Sequence, residues 1–319
     1  MKRNLQFTLA ILLCILYDFK VKYNEVGISI SPLIFESIEN AYIQPENGRN
    51  VFLLETRNTT TDVILNPRQA CAVESAALMN PDHEVFLIYA SKDRLQNIER
   101  TQELHSILTY PNVHIYYIND LEKFTEGTPF EDFIKSRQLL DAKYPIEHTA
   151  DVLRVLLLWK FGGTYTDTDT ITRLPFDTLE PNFACQENEK YVVNGVWNME
   201  SADRSPLATL FAEHLTKNYD ATTWAKNGPG LVTAVVSKLC GTESVTQMIA
   251  KKECEGFHVL PRKVCYPILY DEKSKLFNSS NADEIMTRSV NDICTAETEV
   301  MNDNCFLSFL IAAHQLKNT

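Results

Sequence analysis

Two carboxylates separated by one residue, Asp167 and Asp169, are the strongest candidates for chemistry in this chain. Carboxylates at i and i+2 meet one ion if the backbone bends between them. Oxygen ligands of this kind suit a hard cation such as Mn²⁺ or Mg²⁺, which keeps positions open for phosphate oxygens. With 17 Asp in 319 residues, about one such triplet is expected by chance, so the surroundings decide. Just upstream lies His148-Thr149-Ala150-Asp151-Val152-Leu153-Arg154, where His148, Asp151 and Arg154 fall close to one helix face. Charged groups on an otherwise apolar helix need partners. Asp151 and Arg154 either pair with each other or face an anionic ligand.

The elements that must position these groups follow from periodicity. Val51 to Leu54 reads as a buried strand ending at Glu55, Glu84 to Ala90 as a second, and Val113 to Ile118 as a third. Asn66-Pro67 opens a helix over 67–79, Pro being tolerated in the first turn, and an amphipathic helix is expected over 92–107. Strands alternating with helices indicate parallel βαβ units. Glu147 to Phe161 is a further helix, stopped by Gly162-Gly163. The short strand Thr164-Tyr165-Thr166 then delivers Asp167 near a strand end, where open α/β sheets bind ligands. A strand at 191–197 and helices at 206–218 and 229–239 follow, the last opened by Asn227-Gly228-Pro229. Such a loop either brings backbone close to a ligand or caps the helix.

Composition narrows the class. Hydrophobic residues make up 45% and the net charge is −12, which suits a packed core and argues against a nucleic-acid surface. A bound cation can supply the positive charge a pyrophosphate needs. Lys2 and Arg3 precede an apolar run from Leu5 to Tyr17. The run is short for a membrane span and also fits a signal-peptide core, and its flanks favour an uncleaved anchor with the rest of the chain lumenal. Residues 1–22 are accordingly the anchor and its flank, 23–48 a stem, and 49–319 one catalytic domain. The sequons at Asn58 and Asn278 agree with lumenal exposure. Six of the eight cysteines lie beyond residue 180, so disulfides are expected there, with connectivity open. With no CxxC pair or Cys/His cluster, a zinc site is not expected.

The segment HTADVLRVLLLWKFGGTYTDTDT resembles the DXD-containing α1,4-galactosyl- and α1,4-N-acetylglucosaminyltransferases. Blocks beginning VFLLETRN, NPRQACAVESA, NGPGLVTAVV and GFHVLPRKVCYPI match in order, over roughly residues 50–270. The resemblance implies a GT-A type fold, Rossmann-like, with a mixed, mostly parallel sheet flanked by helices. It implies a UDP-sugar donor, Mn²⁺ (or Mg²⁺), retention of configuration, α1,4 transfer to a glycosphingolipid acceptor and a type II Golgi membrane anchor. By motif, Asp167 and Asp169 hold the metal. Asp151 and Arg154 line the catalytic donor site, Ala150 standing where the family has Ser. Glu55, Asp167, Asn227, Gly228, Pro229 and Gly230 complete the UDP-sugar set. Arg68, Cys71 and Glu74 match a helix read as mainly structural.

The tail departs from the pattern. Where the family carries His-Val-Trp-Asn, this chain has Arg288-Ser289-Val290-Asn291-Asp292, and residues 288–319 are atypical. That leaves a second expectation beside the active enzyme: a catalytically impaired GT-A relative serving as a Golgi lumenal partner of another transferase, or a homo-oligomer.

Overall fold

The computed structural model describes residues 35–46, 48–56, 65–90, 102–118 and 120–266. The apolar run, both sequons, most of the 92–107 helix and the tail from residue 267 lie outside them. Among the described residues, no helix is long and apolar enough to cross a membrane.

The strands are β1 (Glu36–Ser37), β2 (Asn50–Glu55), β3 (Glu84–Ala90), β4 (Val113–Ile118), β5 (Gly163–Thr166), β6 (Phe183–Gln186), β7 (Val192–Met199) and β8 (His258–Leu260). The helices are α1 (Pro67–Met79), α2 (Gln102–Ile107), α3 (Leu121–Phe124), α4 (Glu131–Lys135), α5 (Pro145–Phe161), α6 (Pro206–Asn218), α7 (Pro229–Cys240) and α8 (Val245–Ala250). One eight-stranded sheet runs β1-β4-β3-β2-β5-β7-β6-β8. Its first half is parallel, β7 runs antiparallel to both β5 and β6, and β8 is parallel to β6. The mixed, mostly parallel sheet flanked by helices is the GT-A architecture expected.

Strand alternation sorts the core into two layers. Phe52, Phe86, Tyr116, Tyr165 and Trp197 face the layer of α5, α6 and α7. Val51, Leu53, Val85, Leu87 and Ile115 face the layer of α1. Both faces of the central strands are covered, so these strands read as continuous apolar runs.

Two local devices set the functional edge. Asn66 Oδ1 accepts from Gln69 N at 2.9 Å and Gln69 Oε1 accepts from Asn66 N at 3.1 Å, a reciprocal cap at the start of α1. Gly162 and Gly163 have φ of 62° and 109°, and a methyl group at Gly163 would lie 2.4 Å from the Asn50 carbonyl oxygen. Only glycine turns the chain out of α5 into β5 this tightly.

The stem boundary differs from the sequence reading. Residues 35–46 belong to the fold: β1 pairs with β4, and Ile38 is fully buried. Two-residue pairing in a polar stretch leaves no periodicity to read. Helix α5 starts at Pro145 instead of Glu147, another case of Pro at the first helical position.

Candidate active site

Parallel strands β2 and β5 end at the same edge, with Glu55 closing β2 and Asp167 following β5. The turn after β5 is tight. Thr170 N and Thr170 Oγ1 both donate to the Asp167 carbonyl, at 3.2 and 2.8 Å. This supplies the bend that two carboxylates at i and i+2 require. Asp167 N donates to the Gly195 carbonyl at 2.8 Å, tying the turn to the middle of β7.

Arg154, on α5, is the hub. Its Nη2 lies 2.8 Å from Asp167 Oδ1, and its Nη1 lies 3.8 Å from Asp151 Oδ1. Nη1 also donates to Asn194 Oδ1 at 3.4 Å and to the Asn194 carbonyl at 3.5 Å. The guanidinium carbon sits 4.7 Å from the centre of the Tyr165 ring, a cation–π geometry. Tyr165 OH donates to Asp167 Oδ1 at 2.7 Å, and Asn194 Nδ2 donates to Asp151 Oδ1 at 3.1 Å. The helix-face pair of Arg154 with Asp151 is long, and Arg154 makes its short contact with Asp167.

Electrostatics follow from this packing. The Asp167 side chain is 26% exposed and that of Arg154 is 17% exposed. Burial pushes the Asp167 carboxyl up to about 7, with the charge of Asp169 adding to the rise and Arg154 opposing it. Burial also raises Asp151, again opposed by Arg154 and by the Asn194 hydrogen bond. Burial disfavours the charge on Arg154, but Asp167 and Asp151 outweigh it and hold the guanidinium charged.

Gly228 completes the cluster. A methyl group there would lie 2.4 Å from Asp151 Oδ1 and 3.0 Å from Asn194 Oδ1. The α7 cap and the α5 carboxylate are therefore in direct apposition. Gly195 plays the same part opposite: a methyl group on it would lie 2.7 Å from Asp167 Oδ2 and 2.7 Å from the Tyr266 hydroxyl.

Other expected residues stand apart. Glu55 is buried and accepts from Gln69 Nε2, joining the end of β2 to the start of α1. Asn227 spends both polar ends on its own loop, accepting from Asp220 N at 2.9 Å and donating to the Asp220 carbonyl at 2.8 Å. Gly230 packs on the Ala225 carbonyl, and Pro229 occupies the first turn of α7. His148 bonds Tyr219 OH at 3.0 Å and the Thr223 carbonyl at 3.3 Å, facing the 219–227 loop. Glu74 accepts from Tyr110 OH at 2.8 Å, and burial pushes the Cys71 thiol up to about 12, which fits the structural reading of α1.

Sequence reading missed Tyr165, Asn194, Gly195 and Tyr266. One signal was present: a Gly inside a strand marks close approach of a ligand or another chain segment, and Gly195 is such a residue. Two disulfides form in the cysteine-rich half, Cys185–Cys265 and Cys240–Cys254.

A hard divalent cation fits this cluster by its chemistry. Asp167 and Asp169 offer oxygen ligands, and among the described residues Arg154 is the cation paired with Asp167. Among the described residues there is no group of three or more His, Cys, Asp and Glu that could hold a metal, so the remaining ligands would come from elsewhere, as phosphate oxygens and water do. Among the described residues, Arg154 Nε is buried with no hydrogen-bond partner.

Comparison with known proteins agrees. The profile described as "Glycosyltransferase sugar-binding region containing DXD motif" matches residues 66–185, and "Alpha 1,4-glycosyltransferase conserved region" matches residues 200–307. Two glycosyltransferase family models thus match separate stretches of the chain, one on either side of β7. The family match runs into the tail read above as atypical. Mouse (Mus musculus) lactosylceramide 4-alpha-galactosyltransferase is 29% identical over 80% of this chain and 68% of its own length. The human (Homo sapiens) form is 29% identical over 74% of this chain and 64% of its own length. Human alpha-1,4-N-acetylglucosaminyltransferase is 25% identical over 85% of this chain and 78% of its own. The chain thus spans about two thirds of the galactosyltransferases' length. Among solved structures, PaToxG glycosyltransferase aligns with a TM-score of 0.45 at 18% identity, over 67% of this chain and 79% of that one. The chain is a glycosyltransferase.

Proposed function

We propose that this glycosyltransferase moves galactose or an N-acetylhexosamine from a UDP-sugar, with retention and in α1,4 linkage, to a glycosphingolipid of the lactosylceramide kind. The observation that carries the reading is the convergence of Arg154, Asp151, Asn194 and Asp167 at the carboxyl edge of the sheet. The relatives' activities supply the linkage and the acceptor class.

The chain's own groups support donor binding. Arg154 is a fixed cation beside Asp167, and a guanidinium pairs strongly with anionic oxygens. Asp151 and Asn194 form a buried polar pair able to receive sugar hydroxyls. Gly228 brings backbone against Asp151. Asp167 and Asp169 would hold Mn²⁺ or Mg²⁺, which as a Lewis acid neutralises charge developing on a departing diphosphate. A Golgi lumenal location with an amino-terminal anchor is part of the proposal, supported by the two disulfides, which persist in oxidising compartments.

The test is incubation of the full chain with radiolabelled UDP-sugars, Mn²⁺ and lactosylceramide. Transfer to the lipid is expected. Absence of both transfer and donor hydrolysis, in folded protein, would sink the proposal.

A further inference from the structure

His148 is fully buried on α5, one helical turn before Asp151, and both of its ring nitrogens are spent on one loop. A carbonyl can only accept, so Nε2 donates to the Thr223 carbonyl, at 3.3 Å, while Nδ1 is bonded to the Tyr219 hydroxyl at 3.0 Å. The imidazole also meets the Tyr219 ring edge-on, with centroids 5.6 Å apart, and Tyr219 in turn meets Phe133 of α4 edge-on at 4.9 Å. Just before α5, Lys143 N donates to the Ala221 carbonyl at 2.7 Å. The loop is thus tied to the start of α5 at Tyr219, Ala221 and Thr223.

That placement is carried to the site. Asn227 closes the loop into a ring, accepting from Asp220 N at 2.9 Å and donating to the Asp220 carbonyl at 2.8 Å. Inside the ring, the Asp220 carboxylate accepts from Thr222 and Thr223. A loop braced in this way shifts as a unit. Its far end is Gly228, where a methyl group would lie 2.4 Å from Asp151 Oδ1 and 3.0 Å from Asn194 Oδ1. Helix α5 therefore bears on the loop twice, through His148 and through Asp151, about 4.5 Å apart along its axis. Among the described residues, no hydrogen bond or ion pair joins the loop to Arg154, Asp167 or Asp169.

We infer that His148 is a positioning residue for the sugar half of the donor: by holding Tyr219 and Thr223 it seats Gly228 against Asp151 and Asn194, the polar pair that receives the sugar. The inference rests on the donor-site reading proposed above. A group that binds substrate keeps its geometry only when its support is locked by packing and hydrogen bonds, and His148 supplies both to this loop. Because the loop is not bonded to the diphosphate-binding residues, His148 governs the sugar and leaves the diphosphate alone. Loss of its two buried hydrogen bonds is expected to change sugar recognition about tenfold.

Steady-state kinetics on the full chain in Mn²⁺ test this, with UDP-galactose, UDP-N-acetylgalactosamine and UDP-N-acetylglucosamine as donors and UDP as competing inhibitor. His148→Phe, which keeps a flat ring and loses both hydrogen bonds, is expected to raise the KM of the donor turned over about tenfold and leave the Ki of UDP unchanged. His148→Gln, whose amide can still donate to the Thr223 carbonyl, should recover most of that loss. Tyr219→Phe removes the hydroxyl from Nδ1 and keeps the ring contacts, so it should raise donor KM in the same selective way by a smaller factor. An equal rise in donor KM and UDP Ki in His148→Phe would indicate a merely structural role and overturn the inference, as would a donor KM within about twofold of wild type. Should His148→Phe fail to fold, Tyr219→Phe decides alone, and an unchanged or unselective result there overturns the inference. A wild-type chain that neither turns over a donor nor binds UDP would remove the donor-site reading as well, whereas wild-type turnover with an unselective variant removes this inference alone.

Discussion

Gly228 and Asp151 are in contact across two helices, the first residue before α7 lying against a carboxylate on α5. A methyl group at residue 228 would overlap Asp151 Oδ1 at 2.4 Å. The backbone there has a negative φ of −106°, so the restriction is the carboxylate in front of it and not left-handed geometry. Gly228→Ala is expected to displace Asp151 and cut transfer about a hundredfold, as misplacement of a site group by an ångström does. Steady-state rates beside a thermal melt check this, and unchanged rates would refute it.

Arg154 meets Asp167, Asp151, Asn194 and the Tyr165 ring together. A planar fork serves these directions, and an ammonium does not. Arg154→Lys should therefore behave nearly as badly as Arg154→Met, each losing about a thousandfold in transfer. Rescue by Lys to within tenfold would show that charge alone is needed.

Among the described residues, Asp169 has no side-chain bond comparable to the Asp167–Arg154 pair. Asp169→Ala should abolish metal-dependent UDP binding while the melting temperature stays near wild type. Chelation of metal from the wild-type chain should give the same binding loss. Calorimetry with and without EDTA reads both.

How much of this was legible beforehand depended on length and on partner distance. Helix α1 was legible to the residue because Asn66-Pro67 marks its start, and the structure adds the Gln69 cap. Strands β2, β3 and β4 were legible because burial on both faces makes them uniformly apolar. Strands β1 and β8 were not: two and three residues long, they exist through neighbours distant in sequence. In the site, Asp151, Arg154 and Asp167 could be chosen from one contiguous segment. Asn194 and Tyr266 could not, since β7 and the 262–266 turn meet that segment only through the antiparallel pairing and the Cys185–Cys265 bridge. Asn227 was read as a ligand residue because it sits in the Gly-Pro loop, while its side chain is committed to bracing that loop.

The Cys240–Cys254 bridge closes a 14-residue separation at the far end of α7 from Gly228, roughly 18 Å along a 12-residue helix. Cys240→Ser with Cys254→Ser should cost about 3 kcal/mol of unfolding stability by loop entropy and leave UDP affinity unchanged. Urea unfolding and calorimetry separate the two effects.

Asp220 organises the loop beside the site, accepting from Thr222 N and Oγ1 at 2.7 Å each and from Thr223 N and Oγ1 at 3.1 and 2.9 Å. These hydrogen bonds, the Thr222 hydroxyl first, hold its carboxyl down to about 2 from 3.8. A depressed acid contributes stability that is fully present above its ordinary value and is lost as pH falls through the depressed one. Melting temperature should thus decline from about pH 4 to about pH 2 partly through Asp220, and Asp220→Ala should flatten that part of the profile. An identical profile in the variant would refute the assignment.

The pairing of Glu36 and Ser37 with Tyr116 and Tyr117 bears on how this enzyme can be shortened. β4 would be the outermost strand of its half-sheet without that pairing, and an uncovered apolar edge recruits other chains. A soluble version cut at residue 49, the boundary suggested by polarity, would expose the β4 edge and the pocket of Ile38 together. A cut before residue 35 keeps both covered, so the two versions should differ in their tendency to self-associate before they differ in catalysis.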